Sequence, residues 1–333
     1  MTLVHSIKTR HFFFMLLFAA FASLASAQEW HGFFHTVDSL LSHRYWSSDI
    51  DTNYIVRPST RWTITGRFNF SGAQVQDEGV ADGIHFRSQL DADYKSTVSV
   101  GLSYLGMSLN LSLNPAKLSG KYQDYEMNVM AYGKRMGFDF AYQYARNFKG
   151  WHENDNEARV ALPADILSLK TLNFNAYYAF NHRRFSYPAA FASSYIQRRS
   201  AGSFLLALSL QGQEGETTAL ESQKTSFSMS NIAIGAGYGY NCVPHRNWLL
   251  HISALPTFIV WSKAWFDIDG TRTTMPYHFP EVIITGRGAV VRQMGNYFGG
   301  LASVFTFTNV GDPERLAFHN IKWYHRLFIG YRF

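Results

Sequence analysis

The stretch IKWYHRLFIGYRF, residues 321–333, decides the fold. Ile321, Trp323, Leu327, Ile329, Tyr331 and Phe333 share one parity, and Lys322, Tyr324, Arg326, Gly330 and Arg332 share the other. Successive side chains of a strand point to opposite sides, so a period of two marks a strand with one greasy and one polar face. The greasy face here is large and aromatic. One such strand fits a soluble sheet. Its recurrence along a chain fits a closed cylinder with lipid outside and a polar interior.

The same code runs back through the sequence. Trp62, Ile64, Phe68 and Phe70 alternate with Arg61, Thr63, Thr65, Arg67 and Asn69. Between Ile84 and Tyr104, Phe86, Leu90, Ala92, Tyr94, Val98, Val100 and Leu102 sit on even positions. His85, Arg87, Gln89, Asp91, Asp93, Lys95 and Thr97 sit on odd ones. Unbroken parity predicts one long strand. Further strands are expected near 107–113, 124–133, 137–144, 171–180, 204–210, 232–240, 248–258, 282–292 and 297–308, which with the terminus makes twelve. Pro256 predicts an irregularity in the ninth, because proline cannot donate to a ladder. The tenth and eleventh are glycine-rich and apolar on both sides.

Most of these strands meet the roughly 9–11 residues an oblique crossing needs. The expected fold is therefore all-β: a transmembrane antiparallel β-barrel of twelve strands over residues 59–333. Longer outer loops are placed near 71–83, 149–168, 211–226, 261–280 and 309–319, opposite short inner turns. His182 to Arg198 breaks the rule, being long yet on the short-turn side. Gly235, Gly237 and Gly239 clear one face of the eighth strand, making room for that segment, for the N-terminal region folded inward, or simply for bulky neighbours such as Tyr177.

Ahead of the barrel, Lys8 and Arg10 precede an apolar run from Phe12 to Leu24 and then Ala25-Ser26-Ala27, the pattern of a secretory signal peptide over 1–27. Residues 28–58 read as a short periplasmic extension, with helical spacing at Val37, Leu40, Leu41 and Tyr45. Lys8 and Arg10 account for two of the +6 formal charges, and the scattered remainder argues against a nucleic-acid partner. Charged residues make up 16% and aromatics 17%, with no apolar run after the signal long enough for a spanning helix. Export, many aromatics and strand-length periodicity together favour the bacterial outer membrane. The single cysteine, Cys242, has no internal disulfide partner and reads as a small residue beside a turn.

Phe185-Ser186-Tyr187-Pro188-Ala189-Ala190-Phe191 and then Gln197-Arg198-Arg199-Ser200-Ala201-Gly202-Ser203 resemble a recurrent block in a Bacteroidota family, domain of unknown function 4421. Asp51-Thr52-Asn53-Tyr54-Ile55 before Trp62, and Gly101-Leu102-Ser103-Tyr104-Leu105-Gly106, resemble that family's opening. The resemblance covers residues 38–333. It implies an outer-membrane barrel of a Gram-negative lineage and carries over no catalytic residue.

Three readings of function follow. The first is a non-enzymatic, porin-like barrel with a narrow lumen, or a surface scaffold. Its candidate lumen cluster is Arg61, Arg67, His85, Arg87, Asp91, Asp93, Lys322, Arg326 and Arg332, with Lys95 beside them, since rings of arginine and lysine favour anions. The same charges could simply neutralise one another in a filled interior. The second is a structural or partner-binding barrel that uses 182–198. The third is a rim hydrolase built on His152 and Glu153, with Asp155 and Glu157 near them. No Gly-x-Ser-x-Gly elbow, metal motif or cofactor fingerprint supports it. Tyr331 and Phe333 serve as a C-terminal signal to the barrel-assembly machinery. Outer-membrane lipid is the remaining expected partner, met by a girdle of Trp62, Tyr104, Phe148, Tyr240, Trp248, Trp261, Trp323 and Tyr331.

Overall fold

The computed structural model describes residue 39 and residues 49–333, apart from residues 82, 106, 114–124, 147, 163–165, 218–224, 269, 276 and 313. The expected signal peptide and the helical spacing at 37–45 lie outside the described residues, save Ser39. Among the described residues from 49 onward, eighteen strands and one short helix follow in chain order. Twelve staves account for sixteen of the strands: β2 (Trp62–Ala81), β3 with β4 (Ile84–Ala92, Lys95–Tyr104), β5 (Met107–Leu113), β6 (Tyr125–Tyr132), β7 with β8 (Met136–Ala145, Phe148–Asn154), and β9 with β10 (Glu157–Leu162, Leu167–Ala179). They continue through β12 (Ala201–Thr217), β13 (Thr225–Cys242), β14 (Trp248–Ile268), β15 with β16 (Thr271–Met275, Val282–Met294), β17 (Tyr297–Asp312) and β18 (Leu316–Arg332). The other two strands, β1 (Ile55–Val56) and β11 (Ile196–Gln197), pair only with each other.

All ladders are antiparallel, and the last stave pairs with the first from Arg332↔Thr63 to Leu316↔Gly79. Among the described residues no ladder joins β5 to β6. Above them β3 pairs directly with β8, from Ala92↔Phe148 to Phe86↔Asn154, so the wall continues there. The result is the expected twelve-stranded transmembrane barrel. Its base is the end that carries the short turns and the C-terminus, where Trp62 and Phe333 exchange backbone hydrogen bonds of 3.1 and 3.0 Å.

Alternation holds through the belt. Ile64, Phe68, Val100, Leu172, Phe204, Leu206, Ile234, Ile252, Leu327 and Ile329 are exposed on the outside. Burying such a band in lipid is favourable at about 25 cal/mol per Å² of apolar surface, so the exposed side chains are a membrane face and not a defect. Trp62–Tyr104 and Tyr297–Tyr331 pair at 4.6 and 4.7 Å near the base. Phe70, Tyr94 and Trp323 cluster at 5.3–5.6 Å higher up. Eight residues separate Trp62 from Phe70, about 26 Å along a strand. Phe148 does not belong to the girdle; it is 1% exposed and packs inward with Leu167 and Leu169.

Several readings are corrected by register. Ser71 pairs with Lys95 but Gln74 pairs with Asp91, so residues 72 and 73 face residues 92–94. One extra residue on the second stave is a β-bulge, and it reverses which parity points in. The stretch from Ile84 to Tyr104 therefore breaks after Ala92, and its upper part presents even residues to the interior. In the ninth stave the irregularity falls beyond Pro256: Ile232 pairs with Trp261 and Ala233 with Ile259, leaving Val260 as the extra residue. The tenth and eleventh staves do alternate. Ile283, Val291 and Phe298 are buried inside while Ile284, Val290 and Leu301 face out, because at those heights the lumen wall meets packed apolar groups. The outer loops expected near 71–83 and 149–168 are largely strands that extend the wall upward.

Candidate functional site

The segment between β10 and β12 occupies the lumen at the base. Its helix α1 (Tyr187–Phe191) starts with Ser186 as cap, whose side chain accepts from the Ala189 N–H at 3.2 Å, and with proline in the first turn, where no N–H is needed. A five-residue helix has no independent stability, so packing must hold it. Phe185 and Tyr187 are buried against Tyr177, Ala179, Leu205, Ala207 and Leu255 of the wall, and Ala189 and Ala190 are fully buried as well. The Tyr187 ring lies 4.4 Å from that of Tyr177 and meets the His251 ring edge-on at 5.2 Å.

Polar contacts fix this plug in register. The Gln197 side chain accepts from Ser186 N at 3.0 Å and from Asn241 Nδ2 at 2.9 Å, and donates to the carbonyls of Arg184 and Arg199. Because the Asn241 amide nitrogen donates to Gln197 and to the Ser186 carbonyl, its oxygen accepts from His251 Nδ1 at 2.7 Å. His251 Nε2 lies 3.0 Å from Ser253 Oγ. Tyr187 OH reaches Ser253 at 3.5 Å and accepts from Arg287 Nη1 at 3.0 Å. Arg287 is in turn paired with Asp139 at 2.9 Å, and Asp139 accepts from Tyr132. The network runs from the plug across the lumen to the opposite wall.

Below the plug, β1 pairs with β11, Tyr54 packs on the apolar cluster, and Arg184 meets Asp51 at 3.4 Å. Arg135 Nε donates to His182 Nε2 at 2.9 Å. Burial lowers the His182 imidazole below its ordinary value, and the neighbouring charges of Arg135 and Lys134 add to this. Gly239 gives way to the plug as expected, since a Cβ there would lie 2.9 Å from the Phe185 ring. Gly235 and Gly237 have another cause: their added Cβ atoms would strike the backbone of β14.

Above the plug lies a chamber of about 320 Å³ with a polar lining. Arg67, Lys95, Lys322, Arg326 and Arg287 line it against only Asp93 and Asp139. Higher still, the interior becomes apolar. Val75, Leu90 and Ala92 pack with Phe148, Leu167, Leu169 and Phe227, and Phe227 stacks on Phe318 from the far wall at 6.1 Å.

The predicted cluster is thus divided. Arg67, Lys322 and Arg326 share the chamber, and Asp93 stands at its edge, 3.2 Å from Lys149. His85, Arg87 and Asp91 face outward and not into the lumen, because the bulge moves them to the face shared by Val80, Glu78 and Gln74. Asp91 accepts there from Gln74 at 2.8 Å. Arg61 is exposed at the base. Arg332, 2% exposed, anchors the plug by donating to the Ser193 carbonyl at 3.0 Å and to Gln293 at 2.8 Å. Tyr331 and Phe333 face outward. Gln197, Asn241, His251 and Arg287 were missed by sequence reasoning. Asn241, His251 and Arg287 were signalled only by polarity at inward strand positions, and Gln197 only by its place in the block that resembles the family.

The residues proposed for a rim hydrolase are engaged in the wall. His152 Nδ1 meets Ser88 Oγ at 2.9 Å, Glu153 meets Arg159 at 3.2 Å, and Asp155 accepts from His85 N at 3.1 Å. Asp77 lies on the other side of Ser88, where its hydrogen bond goes to the hydroxyl and the His152 imidazole is felt only through its charge. A nucleophile needs the carboxylate to orient the histidine, so this order does not make a catalytic triad. Among the described residues no group of three or more His, Cys, Asp or Glu side chains could hold a metal ion.

A family model described as Domain of unknown function (DUF4421) matches residues 49–333. Comparison with the curated proteins returns no match. Among solved structures the chain is similar to the outer membrane protease OmpT from Escherichia coli, at 5% identity and TM-score 0.48 over 85% of this chain and 100% of that one. It is also similar to the translocator domain of the autotransporter NalP from Neisseria meningitidis, at 10% identity and TM-score 0.28 over 93% and 100%. A third is the outer membrane protein OprG from Pseudomonas aeruginosa, at 9% and 0.30 over 83% and 97%. At these values the likenesses carry no argument, and the fold rests on the strand ladder itself.

Proposed function

The chain belongs to the DUF4421 family, and from that premise we propose that it is a non-enzymatic outer-membrane barrel whose lumen is stoppered, holding solute instead of passing it freely. One observation carries the reading: the 182–198 segment fills the base of the lumen with fully buried aromatic side chains and a continuous polar network. A barrel of this strand number lies between those that side chains fill and those that leave a channel, so a short inserted segment is enough to close it. The exposed apolar belt supports insertion in lipid, and the outward Tyr331 and Phe333 support recognition of the last strand by the assembly machinery.

Planar-bilayer recording tests this. The refolded wild-type protein gives no sustained current, whereas the double variant Gln197→Ala/Asn241→Ala, which cuts the plug's polar ties, conducts. Steady open-pore current from the wild type would sink the reading.

One observation favours a second role at the same place. Arg61, Arg135, Arg183, Arg184, Arg198, Arg199 and Arg246 are all exposed around the plug's outer surface, with Asp51 among them. Such a field suits an acidic partner docking on the stopper. Reversing Arg198 and Arg199 to glutamate abolishes capture of that partner; an unchanged partner set counts against it.

A further inference from the structure

We infer that the chamber above the plug is a binding site for a small acidic sugar, a solute carrying a carboxylate or phosphate together with several hydroxyls. The inference rests on the reading of the lumen as a compartment that holds solute. Its basis is the uneven chemistry of the two chamber walls.

On the wall formed by β4, β2 and β18, register places four cations close together. Asn69 pairs with Thr97 on one side and Arg326 on the other, and Ser71 pairs with Lys95 and Tyr324. Arg67 and Lys322 stand two to four residues along the same inward faces. Asn69 Oδ1 accepts from Arg326 Nε at 2.8 Å, and the guanidinium lies over the Tyr324 ring at 5.4 Å. About half a turn round the ring, β7, β10 and β12 present Gln143, Asn173, Asn175, Gln211 and Gln213. The nearest carboxylate on that side, Asp139, is already engaged by Arg287. With Asp93 at the chamber edge paired to Lys149 at 3.2 Å, one wall carries an excess of positive charge and the other offers neutral amides.

A second observation points the same way. Gln211 Oε1 and Asn320 Oδ1 line the chamber in side chains only 8% exposed, and neither accepts a hydrogen bond among the described residues. Buried acceptors of this kind call for O–H or N–H donors. A bare carboxylate answers the cations but brings no donor, inorganic phosphate brings only its own P–OH, and a neutral sugar brings donors but no charge. A molecule with both answers both walls. The volume, about 320 Å³, lies at the small end of the roughly 300–1,000 Å³ typical of ligand pockets, which sets a one- or two-ring limit.

Isothermal titration of the mature chain, refolded in detergent micelles, tests the inference with five probes: glucuronate, glucose 6-phosphate, glucose, acetate and inorganic phosphate. At least one acidic sugar binds tenfold or more tightly than glucose, acetate and phosphate, and which of the two binds identifies the anionic group. Arg326→Gln or Lys322→Gln weakens it tenfold or more, and Gln211→Leu narrows the preference for the acidic sugar over the bare anion. Failure of both acidic sugars to bind, equal binding of acetate or phosphate, or full affinity in both cation variants overturns the inference. With wild-type bilayers silent, any of these leaves the stopper reading standing. A steady wild-type current sinks that reading whatever the titrations give.

Discussion

Replacing Tyr187 by alanine should release the 182–198 segment while leaving the wall intact. The ring is 1% exposed and meets those of Tyr177, Phe191, His251 and Phe185 at 4.4, 5.1, 5.2 and 6.1 Å. Removing a fully buried aromatic costs about 3–5 kcal/mol. Losing the hydroxyl leaves Arg287 with one acceptor fewer, a further cost of about 1–3 kcal/mol. Even about 4 kcal/mol corresponds to roughly a thousandfold shift toward the undocked segment. Trypsin reads that shift, because the exposed Arg183, Arg184, Arg198 and Arg199 flank the plug and cleavage needs their backbone to detach. When reclosing is fast, cleavage follows the open population, so the variant is cut roughly a thousand times faster. Tyr187→Phe keeps the ring and loses only the hydroxyl's share of about 1–3 kcal/mol, roughly a five- to 150-fold effect that stays below that of the alanine variant. Cleavage of the alanine variant at the wild-type rate would refute the claim that this side chain holds the plug. So would a phenylalanine variant as labile as the alanine one.

Other expected outcomes bear on the belt, the glycine face and acid. Leu327→Arg, on the lipid face at 60% exposure, destabilises the barrel in vesicles by about 2–4 kcal/mol if it lies near the bilayer midplane. Gln76→Arg, on the same outer face above the belt, changes denaturant unfolding little. Gly239→Val drives a methyl group into the Phe185 ring, so it raises conductance and trypsin sensitivity together; an unchanged profile would mean that the ring yields. Because the folded-state His182 imidazole is lowered, its stabilising effect is complete above the ordinary value of 6.5 and declines as pH falls through the window below it. Plug release at pH 5.5 therefore exceeds that at pH 7.5, and His182→Gln flattens the difference in bilayer recordings.

The barrel was legible because lipid imposes a strict code on each crossing. Leu327, Ile329 and Tyr331 can be placed by parity alone, since an odd–even slip would turn them into the lumen. That code fails wherever register changes by one. The bulge opposite residues 72 and 73 is made by backbone pairing and leaves no mark in the alternation of 84–104, so His85, Arg87 and Asp91 were assigned to the wrong face. The plug was visible only as a length anomaly and as a place for something to fill beside Gly239. Its anchors come from five different staves, and no local pattern reports that Gln197, Asn241 and His251 meet. Arg67, Lys322 and Arg326 were readable because their strands are regular. Arg332 shared their parity but sits at the height of the plug, which only the three-dimensional ladder defines.

Arg332 couples two events in the life of the molecule. It belongs to the last stave of the chain, yet its guanidinium grips the Ser193 carbonyl of a segment emitted well over a hundred residues earlier. Until the final strand seats beside the first, that grip has no fixed position. Seating the last strand thus adds a tie to those the plug already makes with Asn241 and Arg287, so the finished cylinder holds its stopper by one more contact than a half-built one.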